Sequence, residues 1–203
     1  MPRPDDQPAD RASTSLTLLQ RARAREPGAW DRLWALYGPL VTHWCATARV
    51  RPADVEDVRQ EVFLSVARAL GEFRRDRAGD TFRGWLRTIT RNVLSTHFRR
   101  GARQPVGAGG SEAQARLHEL ADPNVELPDE DPPGEVRGVY RRALELVRGE
   151  FEEHTWQMFW QNVVEERDAA AVAEQFGVST AAVRKARSRV LRRLKEEVGD
   201  AIE

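Results

Sequence analysis

Between Arg184 and Lys195 the chain carries seven basic side chains and no acidic one. Guanidinium and ammonium groups clustered in this way suit one chemistry above others, the neutralisation of phosphates along a nucleic acid. Bulk composition does not account for the cluster, because 32 Lys and Arg balance 32 Asp and Glu over 203 residues. The charges are segregated. From Arg74 to Arg103 nine arginines face only Asp76 and Asp80, and from Glu119 to Glu135 there are seven acids and no base. Two basic blocks flank an acidic one.

Residues for bond-making chemistry are sparse. The four histidines, His43, His97, His118 and His154, are scattered, and His43-Trp44-Cys45 is too thin for a metal site. No glycine-rich phosphate loop or nucleophile elbow is present. The reading is a protein that is not an enzyme and needs no cofactor and no metal. A single cysteine, Cys45, excludes an intrachain disulfide and fits a reducing, cytoplasmic setting. The polar N-terminus MPRPDDQPADRASTS has no apolar core of a signal peptide, and no apolar run approaches the roughly 18 residues of a membrane span, so no membrane insertion is expected.

The elements that must position the basic residues are helical. Trp30, Leu33, Trp34 and Tyr37 recur at spacings of three and four. Pro39 and Pro52 punctuate the stretch after them. A helix over 54–70 puts Val55, Val58, Val62, Val66 and Leu70 on one face with Asp54 as N-cap, and another from Phe82 to about Arg100 aligns Trp85, Leu86, Ile89 and Val93. No segment alternates long enough for a strand, so the fold class is all-α. Proline, glycine and acids crowd 101–135, which reads as a linker able to reach on the order of 100 Å at about 3.3 Å per residue. The expected organisation is a disordered 1–14, a helical module over 15–100, the linker 101–135 and a second helical module over 136–203.

Each module presents a polar face with a task. Asp57, Gln60, Glu61 and Leu64 share one side of the 54–70 helix, an acidic docking surface for a basic partner. Arg83, Arg87, Arg91, Arg99 and Arg100 line the next helix with no neighbouring acids, which phosphates would supply. The loop before it, GEFRRDRAGDT, could clamp a strand and offer Phe73 to an unstacked base. In the second module Asp168 precedes AAAVAEQFGVSTAAV, the pattern of a helix-turn-helix. Ala173 is small at the crossing, Gly177 supplies positive φ, Val178 plugs the core, and Ser179 or Thr180 caps the second helix. Val183, Ala186, Val190, Leu191 and Leu194 form that helix's buried stripe. Arg184, Lys185, Arg187, Ser188, Arg192 and Lys195 remain outside, toward a major groove.

"DVEDVRQEVFLSVARALGEF" and "TFRGWLRTITRNVLSTHFRR" resemble region 2 of extracytoplasmic-function sigma factors, and "AAAVAEQFGVSTAAVRKARSRVLRRLKEE" resembles their region 4. The resemblance implies two small helical domains and a role in promoter recognition without catalysis. It implies that Asp57, Gln60, Glu61 and Leu64 dock on the beta-prime clamp helices of core RNA polymerase. Arg87, Arg91, Asn92, Ser95 and Arg99 would handle the minus-10 element of promoter DNA. Thr180, Ala181, Arg184, Lys185, Arg187 and Ser188 would read the minus-35 duplex, near the beta flap. Many such proteins are held by an anti-sigma factor. One departure is plain: FEEHTWQMFWQNVVEERD stands where the family commonly opens region 4 with a leucine-proline pair. Two other readings remain open at this level, a stand-alone operator-binding regulator and a docking adaptor.

Overall fold

The computed structural model describes residues 17–74, 81–103, Val125, Leu127 and 132–198. The N-terminal tail, residues 75–80 and most of the linker lie outside the described residues; Phe73, expected to be offered to a base, is instead buried, its ring 5.9 Å from Phe82 and 4.9 Å from Trp85. All regular structure within them is helical. Helix α1 (Leu18–Arg23) is started by a capping box, in which Thr17 Oγ1 accepts from Gln20 N and Gln20 Oε1 accepts from Thr17 N. Leu18 and Ala22 turn inward. Helix α2 (Ala29–Thr47) buries Leu33, Leu36, Tyr37, Leu40, Val41, Trp44 and Cys45.

Pro39 lies inside α2 rather than ending it, contrary to the sequence expectation. Packing of α2 against α1, α3 and α4 outweighs the lost N–H, which would have bonded Ala35 O. A short 3-10 turn (Pro52–Asp54) leads into α3 (Val55–Ala69), whose Val58, Val62 and Val66 are buried as their spacing predicts, followed by Leu70. Asp54 does not cap α3 with its side chain; its Oδ2 accepts from Arg51 Nε at 2.7 Å instead. Helix α4 (Phe82–Arg103) buries Phe82, Leu86, Thr90 and Leu94, and the Thr90 hydroxyl donates to Leu86 O at 2.8 Å. Helices α2, α3 and α4 pack mutually as a three-helix core.

Helix α5 (Pro133–Arg148) is followed by α6 (Glu153–Phe159), a π-turn (Trp160–Val164), α7 (Ala169–Phe176) and α8 (Thr180–Val198). Trp156 and Phe159 anchor this half with Val147 and Val190. The two halves are in contact. Val139, Ala143 and Val198 join the main core with α2, and Val125 and Leu127 of the expected linker are buried in it too. The acidic segment thus places two apolar residues where composition alone suggests none.

Candidate nucleic-acid and docking interface

Helix α7 opens on Asp168, whose Oδ2 accepts from Ala170 N at 2.8 Å, and closes on Gly177 at φ +64. A left-handed residue there reverses the chain within three residues, and glycine adopts it without a Cβ penalty. Ser179 supplies the cap of α8, its Oγ accepting from Ala182 N at 3.2 Å. Val172, Ala173, Val183 and Ala186 close the crossing, with Val178 packed against them. Arg167 Nη1 donates to Gln161 Oε1 and Gln175 Oε1, both at 2.6 Å, tying α7 to the π-turn.

This scaffold leaves the expected reading face in solvent. Thr180, Ala181, Arg184, Lys185, Arg187 and Ser188 are all exposed on α8, as are Arg192 and Lys195. Leu191 departs from its predicted place in the buried stripe and is 39% exposed. Val190 and Leu194 already fill the contact with α5 and α6, and Leu191 falls a third of a turn away.

On α3, Asp57, Gln60, Glu61 and Leu64 are exposed together, Leu64 by 50%, an unusual amount for a leucine among charges. Glu61 pairs with Arg68 at 3.6 Å, and Gln60 Nε2 donates to Glu56 Oε1 at 3.4 Å. A groove of about 500 Å³ separates α3 from α4. Asp57, Glu61 and Ser65 form one wall, while Asn92, Thr96 and His97 form the other. Asp57 and Glu61 of the docking set and Asn92 of the minus-10 set therefore share one cleft.

The α4 residues divide by exposure. Asn92 and Arg99 are exposed, and Arg99 folds back to donate to Ser95 O and Thr96 Oγ1, each at 3.2 Å. Arg91 and Ser95 are half-buried. Arg87 does not decorate the outer side as periodicity suggests. It is 9% exposed with its guanidinium 5.4 Å from the centre of the Trp44 ring, because α2 packs along that side of α4.

One cluster was invisible to the sequence reading. Glu197 near the end of α8 is buried, and its Oε2 accepts from Arg32 Nη1 of α2 at 2.8 Å and from Arg193 Nη2 at 2.7 Å. Glu150 completes the group, accepting from Arg32 Nη2 at 2.8 Å and from Arg193 Nε at 2.6 Å. Beside it Tyr37 OH donates to Val198 O at 2.9 Å. A signal did exist: the stripe 183, 186, 190, 194 projects onto 197, so an acid there needs a buried partner.

Residues 33–104 match the family model described as Sigma-70 region 2, a span covering most of α2 and all of α3 and α4. The chain is 34% identical over 84 residues to the ECF RNA polymerase sigma factor BldN of Streptomyces coelicolor. That alignment takes in 41% of this chain and 31% of BldN, so the chain spans about a third of that relative's length. Two solved structures are similar at lower identity. One is CnrH in complex with the cytosolic domain of CnrY, at 20% identity, 88% of this chain, 92% of that one and a TM-score of 0.36. The other is the RsbN-BldN complex, at 21% identity, 87% of this chain, 96% of that one and a TM-score of 0.35. The resemblance drawn from the sequence over α3 and α4 holds.

Proposed function

We propose, from the premise that residues 33–104 are a Sigma-70 region 2 segment, that this chain is a sigma factor of the extracytoplasmic-function type. The region 2 match is the observation that carries this reading, and the exposed basic helix-turn-helix supports it. It acts as a regulator, without catalysis of its own. Core RNA polymerase docks on the α3 surface through Asp57, Gln60, Glu61 and Leu64. Arg91, Asn92, Ser95 and Arg99 of α4 meet the minus-10 strand, with Arg87 supporting them from behind on Trp44. Thr180, Ala181, Arg184, Lys185, Arg187 and Ser188 read the minus-35 duplex through the major groove. BldN is seen in complex with a second protein, RsbN, and we extend to this chain a protein partner that restrains it, an anti-sigma factor.

Elements named minus-35 and minus-10 lie about 25 base pairs apart, roughly 85 Å along B-DNA. Helix α8 has 19 residues, about 28 Å, and its far end is bonded to α2. Promoter engagement therefore requires the two halves to part, and the linker is long enough to allow it.

Run-off transcription with purified core polymerase, with and without the protein, on promoter fragments from its own genome tests the reading. Protein-dependent transcripts that collapse for the Asp57→Lys, Glu61→Lys double variant support it. No stimulation on any template, with tight duplex binding in the absence of polymerase, favours a stand-alone operator-binding regulator.

A further inference from the structure

Helix α2 is the seam along which the two halves meet. Arg32, Leu36 and His43 follow one another at steps of four and seven along one face of it, with Tyr37 beside them. Each is tied to the second half. Arg32 reaches Glu197 and Glu150, both at 2.8 Å, and Leu36 O accepts from Arg142 Nε at 3.0 Å. Tyr37 OH donates to Val198 O at 2.9 Å, and His43 Nδ1 lies 3.6 Å from Glu135 Oε1. These ties run from the first turn of α5 to the last turn of α8. Between them Val139, Ala143 and Val198 fill the same apolar core as Leu33, Leu36 and Leu40.

Within the ion cluster, Arg32 comes from the first half, while Glu150, Arg193 and Glu197 belong to the second. Closed, two guanidiniums meet two carboxylates. Parting leaves Glu150 and Glu197 to share Arg193 and strips the apolar seam of its cover, and both effects favour closure. Neither working face lies under the seam. The docking residues of α3 and the reading residues of α8 are exposed in the closed form. What closure denies is the use of both at once, at the separation a promoter demands.

We propose that the closed form is an autoinhibited state, able to take core polymerase on α3 yet unable to initiate, and that Arg32 sets how readily it opens. The proposal rests on the sigma-factor reading. An arginine that merely stabilised the fold would lower initiation when removed, whereas one that holds an inactive form shut raises it.

The test uses the full chain with saturating core polymerase on an intact duplex promoter, with core affinity measured alongside. Arg32→Ala is expected to raise initiation by about tenfold, for its charge-assisted bonds to Glu197 and Glu150 discounted for partial exposure, and to leave core affinity unchanged. A second variant carries His43→Cys with Glu135→Cys, joined by a short bis-maleimide that contains a cleavable disulfide; the native Cys45 is buried and does not compete. The linked protein should bind core as the cleaved protein does but initiate only after reduction. Unchanged or lower initiation with Arg32→Ala, a linked protein that initiates as well as the cleaved one, or a linked protein that no longer binds core overturns the proposal. Wild type that neither binds core nor drives any template overturns the sigma-factor reading itself.

Discussion

The bond between Arg32 and Glu197 can be removed from either side, and a double-mutant cycle isolates it. Glu197 is fully buried and Arg32 is 23% exposed, so solvent screens their contact only in part. Neither single substitution orphans every charge. In Glu197→Gln, both Arg32 and Arg193 keep Glu150; in Arg32→Ala, Glu197 keeps Arg193. The loss of 3–5 kcal/mol typical of a broken buried pair should therefore shrink to about 2 kcal/mol for each single variant. With one charge-assisted hydrogen bond between the two residues, the coupling energy should be about 1.5 kcal/mol. Urea unfolding of wild type, both singles and the double variant measures it. A coupling within about 0.5 kcal/mol of zero would mean that α8 and α2 are not joined through this pair in solution, and the closed arrangement would fall with it. A coupling of the expected size should be accompanied by a larger radius of gyration for the double variant in small-angle scattering.

Acid should weaken the same cluster. Burial pushes the Glu150 carboxyl up, but hydrogen bonds from Arg193 and Arg32 outweigh it and leave the group below its usual 4.5. A depressed carboxyl gives stability that is complete above the unfolded value and is lost as pH falls through the lower folded value. Below about pH 4.5 the wild type should therefore lose stability more steeply than Glu150→Gln, as read by urea midpoints. Gly177→Ala forces a Cβ into φ +64 and should cost about 1 kcal/mol in the same measurement. Ser179→Ala removes the cap of α8 for a similar loss of about 1 kcal/mol. Neutralising Arg184 and Arg187 should reduce the salt slope of duplex binding by about two, measured by titration at several ionic strengths; an unchanged slope would remove them from the phosphate contacts.

Much of this was legible in the residues because local rules and tertiary packing agree. The valine stripe of α3 and the Asp168, Gly177 and Ser179 punctuation of the helix-turn-helix emerge where spacing puts them. The departures come from partners remote in sequence. Arg87 turns inward because Trp44 of α2 offers a ring, and Asp54 gives up its capping role because Arg51 engages it. Pro39 is tolerated because α2 is enclosed by other helices. Val125 and Leu127 are buried by contacts that no local period encodes, and the α8 stripe that turns Glu197 inward does not name Arg32, far away in the chain, as its partner. The α3–α4 groove was half visible: each wall was named, but their meeting depends on how the two helices cross.

Cys45 gives the molecule a built-in reporter. Its side chain is sealed in the three-helix core, and burial pushes the thiol up to about 11, although Arg59 pulls the other way. Thiolate, the form that alkylating reagents attack, is therefore scarce at neutral pH while the core is closed. The rate of alkylation becomes a clock for breathing of the core formed by α2, α3 and α4. The same shielding lets one cysteine introduced on α8 accept a fluorophore with little competition from the native thiol.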